Sequence, residues 1–361
     1  MKSRRISLKS ATALAALSLV TPTPVWADGP TPVVATFSIL GDMVERIGGE
    51  HVEVTTLVGP DGDAHVYQPT PKDARSVSKA EVLFINGLEF EGWLERLSEA
   101  AGFDGYLVVA TNGIDAIPFD EHDSHDDHGD KDTGADHDHD HDRGGEQHAE
   151  AEDDHGDHGH EKHAEHDAHD DHDEHASEGH AGHDHGAFDP HAWQSPVNAV
   201  IYVDNITAAL AIADPANAGI FYENRNAYVA EIEALDQEID ALLTSLPEDR
   251  RTVVTSHDAF GYFADYYGLT FEAPQGLSTE SEPSAADVAE LITQIRDDGI
   301  SAVFVESITD NRLLEEIAND TSATVGGTLY SDALSDENGP AATYLDMMRH
   351  NATTLSQALG S

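Results

Sequence analysis

The chain is 361 residues long, carries a formal net charge of −52 with histidine counted neutral, and contains no cysteine. Such acidity excludes nucleic acid and anionic lipid as partners and favours cations. Without cysteine there are no disulfides, thiolate metal sites or cysteine nucleophiles, so any metal here is held by histidine and carboxylate.

Residues 1–27 read as an export signal. Lys2, Arg4, Arg5 and Lys9 give a basic start, Ala11 to Val20 an apolar run too short for a permanent membrane helix, and Val25-Trp26-Ala27 a small-residue cleavage site. Ser3-Arg4-Arg5-Ile6-Ser7-Leu8-Lys9 has the look of a twin-arginine signal, with Ser7 where a larger apolar residue is usual; general secretion is the other route. A soluble periplasmic protein starting near Asp28, without a cysteine to carry a lipid anchor, is the expectation.

Pro32 to Phe37 reads as a buried strand, followed by a helix capped by Ser38, with Ile39, Leu40, Met43, Val44 and Ile47 inward and Gly48-Gly49 at its end. Val52 to Val58 is a strand running into the loop Gly59 to His65. A helix from Pro71 to Lys79, a strand at Val82 to Ile85, a helix from Trp93 to Ala100 and a strand at Leu107 to Ala110 complete an α/β lobe with a mainly parallel sheet.

Residues 120–186 are almost entirely His, Asp, Glu, Gly and Ala. They hold every histidine except His51, His65, His191, His257 and His350, and contribute nearly half of the net charge. So little apolar surface cannot offset ordering entropy, which predicts a disordered insertion in this lobe. Alternating imidazole and carboxylate, as in Asp136-His137-Asp138-His139-Asp140-His141, suits weak binding of divalent metal. Ser195-Pro196 then opens a helix ended by Asp214-Pro215, so the first lobe spans 28–215.

The longest helical pattern runs over 216–246, with Tyr222, Val229, Ile232, Leu235, Ile239, Leu242 and Leu243 recurring at threes and fours until Pro247. It predicts a stiff connection. A second α/β set fills 247–361: strands at Thr252 to Thr255, Leu269 to Glu272, Ile300 to Val305 and Thr324 to Leu329, with helices between and after them. The fold class is α/β: two lobes, each a mainly parallel sheet flanked by helices, joined by one long rigid helix.

Ligands of parallel α/β sheets bind beyond the carboxyl ends of the strands. His65 follows the second strand and His191 follows the insertion; His257 and Asp332 follow the first and last strands of the other lobe. Two donors from each lobe across a cleft make a three-histidine, one-carboxylate tetrahedron suited to Zn²⁺. Imidazole is softer than a carboxylate-rich shell and favours Zn²⁺ over Mn²⁺. Glu306, at a strand end, competes with Asp332 for the fourth place, though a supporting carboxylate is the commoner role for such a residue. Asp63, Asp189 and Asp258 flank histidines, either orienting an imidazole or forming turns. Trp193, Phe260 and Tyr330 are expected to pack around the site and keep it dry, and His51 and His350 to lie on the surface.

Gly62-Asp63-Ala64-His65-Val66-Tyr67-Gln68-Pro69, Asp189-Pro190-His191-Ala192-Trp193, Ser256-His257-Asp258-Ala259-Phe260 and Tyr330-Ser331-Asp332-Ala333-Leu334 resemble the motifs of the cluster A-I (cluster 9) metal-binding proteins of ABC importers. The nearest resemblance is to their periplasmic zinc-specific members, and it extends over the whole mature chain. It implies two lobes joined by a rigid helix, metal at their interface, and delivery to a membrane permease. His65, His191 and His257 match the ligands, and Asp332 matches the carboxylate of many members; zinc members vary at that place, which a water also fills. A histidine-rich insertion is typical of the zinc members that the chain resembles. Here the insertion is expected to hold zinc weakly, collecting it or sensing its supply, and the protein is expected to be a monomer with a periplasmic metallochaperone as a further partner.

Three other functions compete with this one. A zinc hydrolase needs an open coordination position and a general base, which four protein ligands and the lack of a His-Glu-x-x-His pattern oppose. A zinc storage or resistance protein would use the insertion alone and leave two lobes idle. A manganese-specific binding protein differs in the metal only.

Overall fold

A computed structural model describes residues 29–119 and 188–360. The expected export signal (1–27) and the histidine-rich insertion (120–186) lie outside the described residues.

The first lobe runs β1 (Thr31–Phe37), α1 (Ser38–Gly48), β2 (Val52–Val58), α2 (Pro71–Val77), β3 (Val82–Ile85), α3 (Leu94–Ala101), β4 (Tyr106–Val109) and α4 (Pro196–Ala213). Then come α5 (Ala218–Thr244) and a second set, β5 (Thr252–Val254), α6 (Gly261–Tyr267), β6 (Thr270–Glu272), α7 (Ala285–Asp298), β7 (Ala302–Glu306), α8 (Arg312–Asp320), β8 (Thr324–Leu329) and α9 (Tyr344–Leu359). Both sheets are wholly parallel and share one topology, β2-β1-β3-β4 and β6-β5-β7-β8. In each, the chain steps to one side of its first strand and then crosses to the other, which leaves a crevice at the carboxyl ends of the two central strands.

Local chemistry accounts for most boundaries. Thr70 and Asp73 form a reciprocal cap at the start of α2, and Ser284 and Asp287 do the same for α7. Pro196 sits in the first turn of α4, where a missing N–H costs nothing. Ser38 departs from expectation. Phe37 takes the cap position of α1, and the Ser38 hydroxyl accepts the Leu334 N–H at 2.9 Å from the other lobe. A tertiary bond has displaced the local one.

The 27-residue α5 is about 40 Å long at ~1.5 Å per residue. It packs on α1 and α4 of the first lobe and on α6 and α9 of the second, burying Phe221, Tyr228, Val229, Ile232, Leu235, Ile239 and Leu243. The core is continuous between lobes: Phe37, Trp193, Phe260, Tyr344 and Met347 belong to one buried cluster. A smaller one, with Leu291, Ile295, Val303 and Leu314, lies within the second lobe.

Asp42 joins three helices of this arrangement. From α1 it accepts the Tyr344 N–H at the start of α9 (3.0 Å) and the Tyr228 hydroxyl of α5 (3.5 Å). Burial pushes its carboxyl up from 3.8 to about 6, against the pull of the Tyr344 amide and Arg46. The unfolded carboxyl therefore loses its proton first. Between pH 4 and 6 the folded state binds more protons, so stability falls as pH rises. Asp42→Asn keeps an acceptor and never ionises. In chemical denaturation of the metal-free protein it should flatten this fall and gain roughly 1–3 kcal/mol over the parent at pH 7.

Candidate metal centre

The four residues singled out at strand ends converge. One ligating atom from each of His65, His191, His257 and Asp332 lies within 4.8 Å of the others, and all four residues are buried. Asp332 Oδ2 stands 3.1 Å from His65 Nε2 and 3.2 Å from His257 Nε2, while Oδ1 is 3.6 Å from His191 Nε2. Donors bound tetrahedrally at ~2.0–2.2 Å sit about 3.3–3.6 Å apart, so the Asp332–histidine spacings are near those of one small divalent cation, while the set as a whole, at up to 4.8 Å, is somewhat wider.

Each ring is aimed by its surroundings. His65 follows β2 on a turn in which Asp63 Oδ1 accepts the His65 backbone N–H at 2.9 Å, and the Trp93 indole donates to the Ala64 carbonyl at 2.8 Å. Asp63 thus serves the turn; its other oxygen accepts the Thr279 hydroxyl of the second lobe at 2.6 Å. His191 is held twice by Asp189 Oδ1, through its backbone N–H at 2.9 Å and its Nδ1 at 2.7 Å. For His257 the partner is Glu306, whose Oε2 lies 2.8 Å from Nδ1 and whose Oε1 accepts the Ser256 and His257 N–H groups at 2.8 and 2.9 Å. The Asp189 carboxylate on His191 Nδ1 favours the proton there and leaves Nε2 free to coordinate, whereas Glu306 faces His257 Nδ1 as a close ion-pair partner without meeting it as a hydrogen bond. Glu306 is thereby committed to His257 and stands outside the cluster of four.

Asp332 belongs to the second lobe, yet the first lobe helps to seat it. The Ser331 carbonyl accepts the Trp193 indole at 2.9 Å and the Gln194 amide at 2.8 Å, and the Leu334 carbonyl accepts the Asp61 N–H at 2.8 Å. Burial alone would raise its carboxyl, but His191 and His257 hold it well below the ordinary range. Conversely, burial would lower the two histidines. Asp332 and Asp189 outweigh this at His191, and Glu306 and Asp332 at His257, so both are raised above 6.5.

The expected aromatic wall is only partly the one present. Trp193 is fully buried, 5.4 Å from the His191 ring. Phe260 belongs to the buried core shared with Trp193 and stacks on Phe271 at 4.9 Å, while Tyr330 lies half-buried against His350 at 5.4 Å. The ring missed from the sequence is Phe90, edge-on to His65 at 4.8 Å and to Trp193 at 5.0 Å. It follows β3, at the carboxyl edge where ligand-facing residues collect, and that position was the signal. His51 and His350, expected on the surface, are half-buried: His51 faces Phe221 at 6.2 Å, and His350 Nε2 is 3.0 Å from the Thr328 carbonyl. A groove of about 550 Å³, lined by Asp63, Ser256, Gln275, Thr279 and Arg312 among others, opens beside the loops that carry His65 and His257.

The family profile "ZnuA: Zinc-uptake complex component A periplasmic" matches residues 33–358. The manganese-binding lipoprotein MntA of Bacillus subtilis is 30% identical over 338 residues, covering 92% of this chain and 91% of that protein. The iron-binding protein YfeA of Yersinia pestis is 29% identical over 328 residues, covering 91% and 86%. Among solved structures, the periplasmic zinc-binding protein TroA of Treponema pallidum aligns with a TM-score of 0.71 at 25% identity, over 92% of this chain and 99% of that one. A manganese-bound periplasmic metal-binding protein from Candidatus Liberibacter asiaticus aligns at 0.68 and 26%, over 91% and 99%.

In the metal-free protein, imidazole ¹⁵N spectra should show His191 and His257 titrating above pH 6.5, with Asp332→Asn lowering both midpoints.

Proposed function

The chain belongs to the ZnuA family, metal-binding substrate-binding proteins of ABC importers rather than enzymes, and from that membership we propose a high-affinity periplasmic carrier of Zn²⁺. It takes the ion between its lobes and hands it to the importer's membrane permease. The relatives' names carry manganese, iron and zinc, so the metal is read from this chain's own donors.

One observation carries the reading. Three imidazoles and one carboxylate meet at the lobe interface with their ligating atoms within 4.8 Å of one another, and two further carboxylates, Glu306 and Asp189, lie against imidazole Nδ1 atoms. His65, His191, His257 and Asp332 are the proposed ligands. A single carboxylate among three imidazoles favours Zn²⁺ over Mn²⁺, which prefers oxygen-rich, octahedral sites. A manganese-specific carrier is the second reading, favoured by the names of the manganese-binding relatives.

Around that site we place an export signal over 1–27, lobes over 28–215 and 247–361, and the link over 216–246. The insertion 120–186 is proposed to collect zinc weakly, or to sense its supply, beside a periplasmic metallochaperone that loads the site. A periplasmic store relying on the insertion alone would leave the buried cluster without a use.

Competition titration tests the metal. One equivalent of Zn²⁺ should displace bound Mn²⁺, and excess Mn²⁺ should fail to displace Zn²⁺; the opposite order overturns the zinc reading. Because His191 and His257 titrate above 6.5, protons should begin to weaken binding before the pH reaches that value. Deleting residues 120–186 should leave one tight site and remove several weak ones, and unchanged stoichiometry would refute a role for the insertion in binding.

A further inference from the structure

The turn between β3 and α3 has an unsuitable sequence for its shape. Among the described residues, three non-glycine positions have positive φ, and two of them, Leu88 (54°) and Glu89 (63°), are consecutive. They follow Gly87 (φ 88°), and the Phe90 N–H donates to the Gly87 carbonyl at 3.2 Å, so Gly87–Phe90 closes with both central residues left-handed. That is the pattern of a type I′ turn, which ordinarily takes Asn and Gly there; Leu and Glu are strained in it. A side chain at Gly87 would also strike Val109 Cγ1 at 2.5 Å.

Such strain persists only where surrounding contacts over-determine it. The contact here is Glu91, buried beneath the turn. Its Oε1 accepts the Thr36 hydroxyl at 2.6 Å and the Asn86 N–H at 2.7 Å, and its Oε2 accepts the Gly87 N–H at 3.2 Å. The carboxylate thus grips the turn's first residues and ties them to β1.

The gripped segment reaches both metal-site loops of the first lobe. The Asn86 amide donates to the Pro190 carbonyl beside His191 at 2.9 Å. Phe90 lies against the His65 ring at 4.8 Å and the His191 ring at 6.1 Å. Trp93 holds the Ala64 carbonyl beside His65.

We propose that Glu91 is a positioning residue for the metal site: its carboxylate keeps the strained Gly87–Phe90 turn closed, and that turn sets the His65 and His191 rings. This role presupposes that the cluster of four holds the cation. Glu91 touches no ligand and acts through Asn86, Phe90 and Trp93. Groups supporting metal ligands from outside typically matter by about 10–100-fold in affinity.

Stopped-flow release of Zn²⁺ from the full chain into excess chelator tests this, with the absorption spectrum of the Co²⁺-loaded protein as a probe of ligand geometry. Glu91→Gln places an amide N–H₂ against donors and should release Zn²⁺ roughly tenfold faster with an altered Co²⁺ spectrum. Thr36→Val removes one of the three donors and should move both readouts the same way, less far. Glu89→Gly, at an exposed position, relieves strain; it should leave the parent rate unchanged and slow the release from Glu91→Gln. Parent-like rates and spectra in Glu91→Gln and Thr36→Val would overturn the proposal, as would failure of Glu89→Gly to slow that release. If Glu91→Gln does not fold, Thr36→Val alone decides. A parent chain without any tight site would instead end the metal-site reading, a separate result that the parent titration shows first.

Discussion

Asp332 has no exposed surface, and its polar neighbours are three imidazole Nε2 atoms. A buried carboxylate without positive charge beside it costs several kcal/mol, so the lobe interface is stable only when something cationic sits there. In the metal-free protein His191 and His257, both raised above 6.5 by the neighbouring carboxylates, take up protons more readily to supply that charge. A divalent cation held by the four proposed ligands would supply it better, because it would meet all four donors at once and need the imidazoles neutral. Metal and protons would then exchange at one place, which ties the acidity of the medium to the occupancy of the site.

The architecture brings this charge cluster into being. Two parallel sheets of identical strand order turn their carboxyl edges toward each other, and each edge presents two of the donors. The apolar core running from Phe37 and Trp193 to Phe260 and Tyr344 spans both lobes, so the cluster sits in a dry interior. Bonds across the interface, from Trp193 and Gln194 to the Ser331 carbonyl and from Leu334 to Ser38, mean that Asp332 is seated by the lobe opposite its own.

One scaffold serves relatives named for manganese, iron and zinc, so the choice of metal resides in a few side chains and not in the fold. The zinc reading of this chain rests on where the carboxylates lie. Glu306 and Asp189 hold imidazole Nδ1 atoms, and Asp332 alone remains among the three Nε2 atoms. The turn at Gly87–Phe90 adds a constraint of another kind, an unfavourable backbone held by a buried carboxylate where it meets two of those rings.

The α/β order of both lobes, the long α5 and the four converging residues were legible in the sequence. Hydrophobic periodicity and helix-ending residues are local properties, and strand-end placement follows from parallel topology. What stayed hidden were the supporting contacts set by partners distant in the chain. Ser38 reads as a helix cap but gives its oxygen to Leu334, 296 residues away. Tyr330 sits in a site motif yet packs against His350, while Phe90, which lies in none of those motifs, touches His65. Whether Glu306 would bind metal or a histidine was open in the sequence, since a carboxylate at a strand end suits both. Only the folded geometry, with its Oε2 2.8 Å from His257 Nδ1, assigned it. The sequence by itself determined which donors exist, at which sheet edges they lie and that they meet across the cleft; tertiary structure decided what holds each of them in place, because those contacts across two lobes depend on packing that no local pattern encodes.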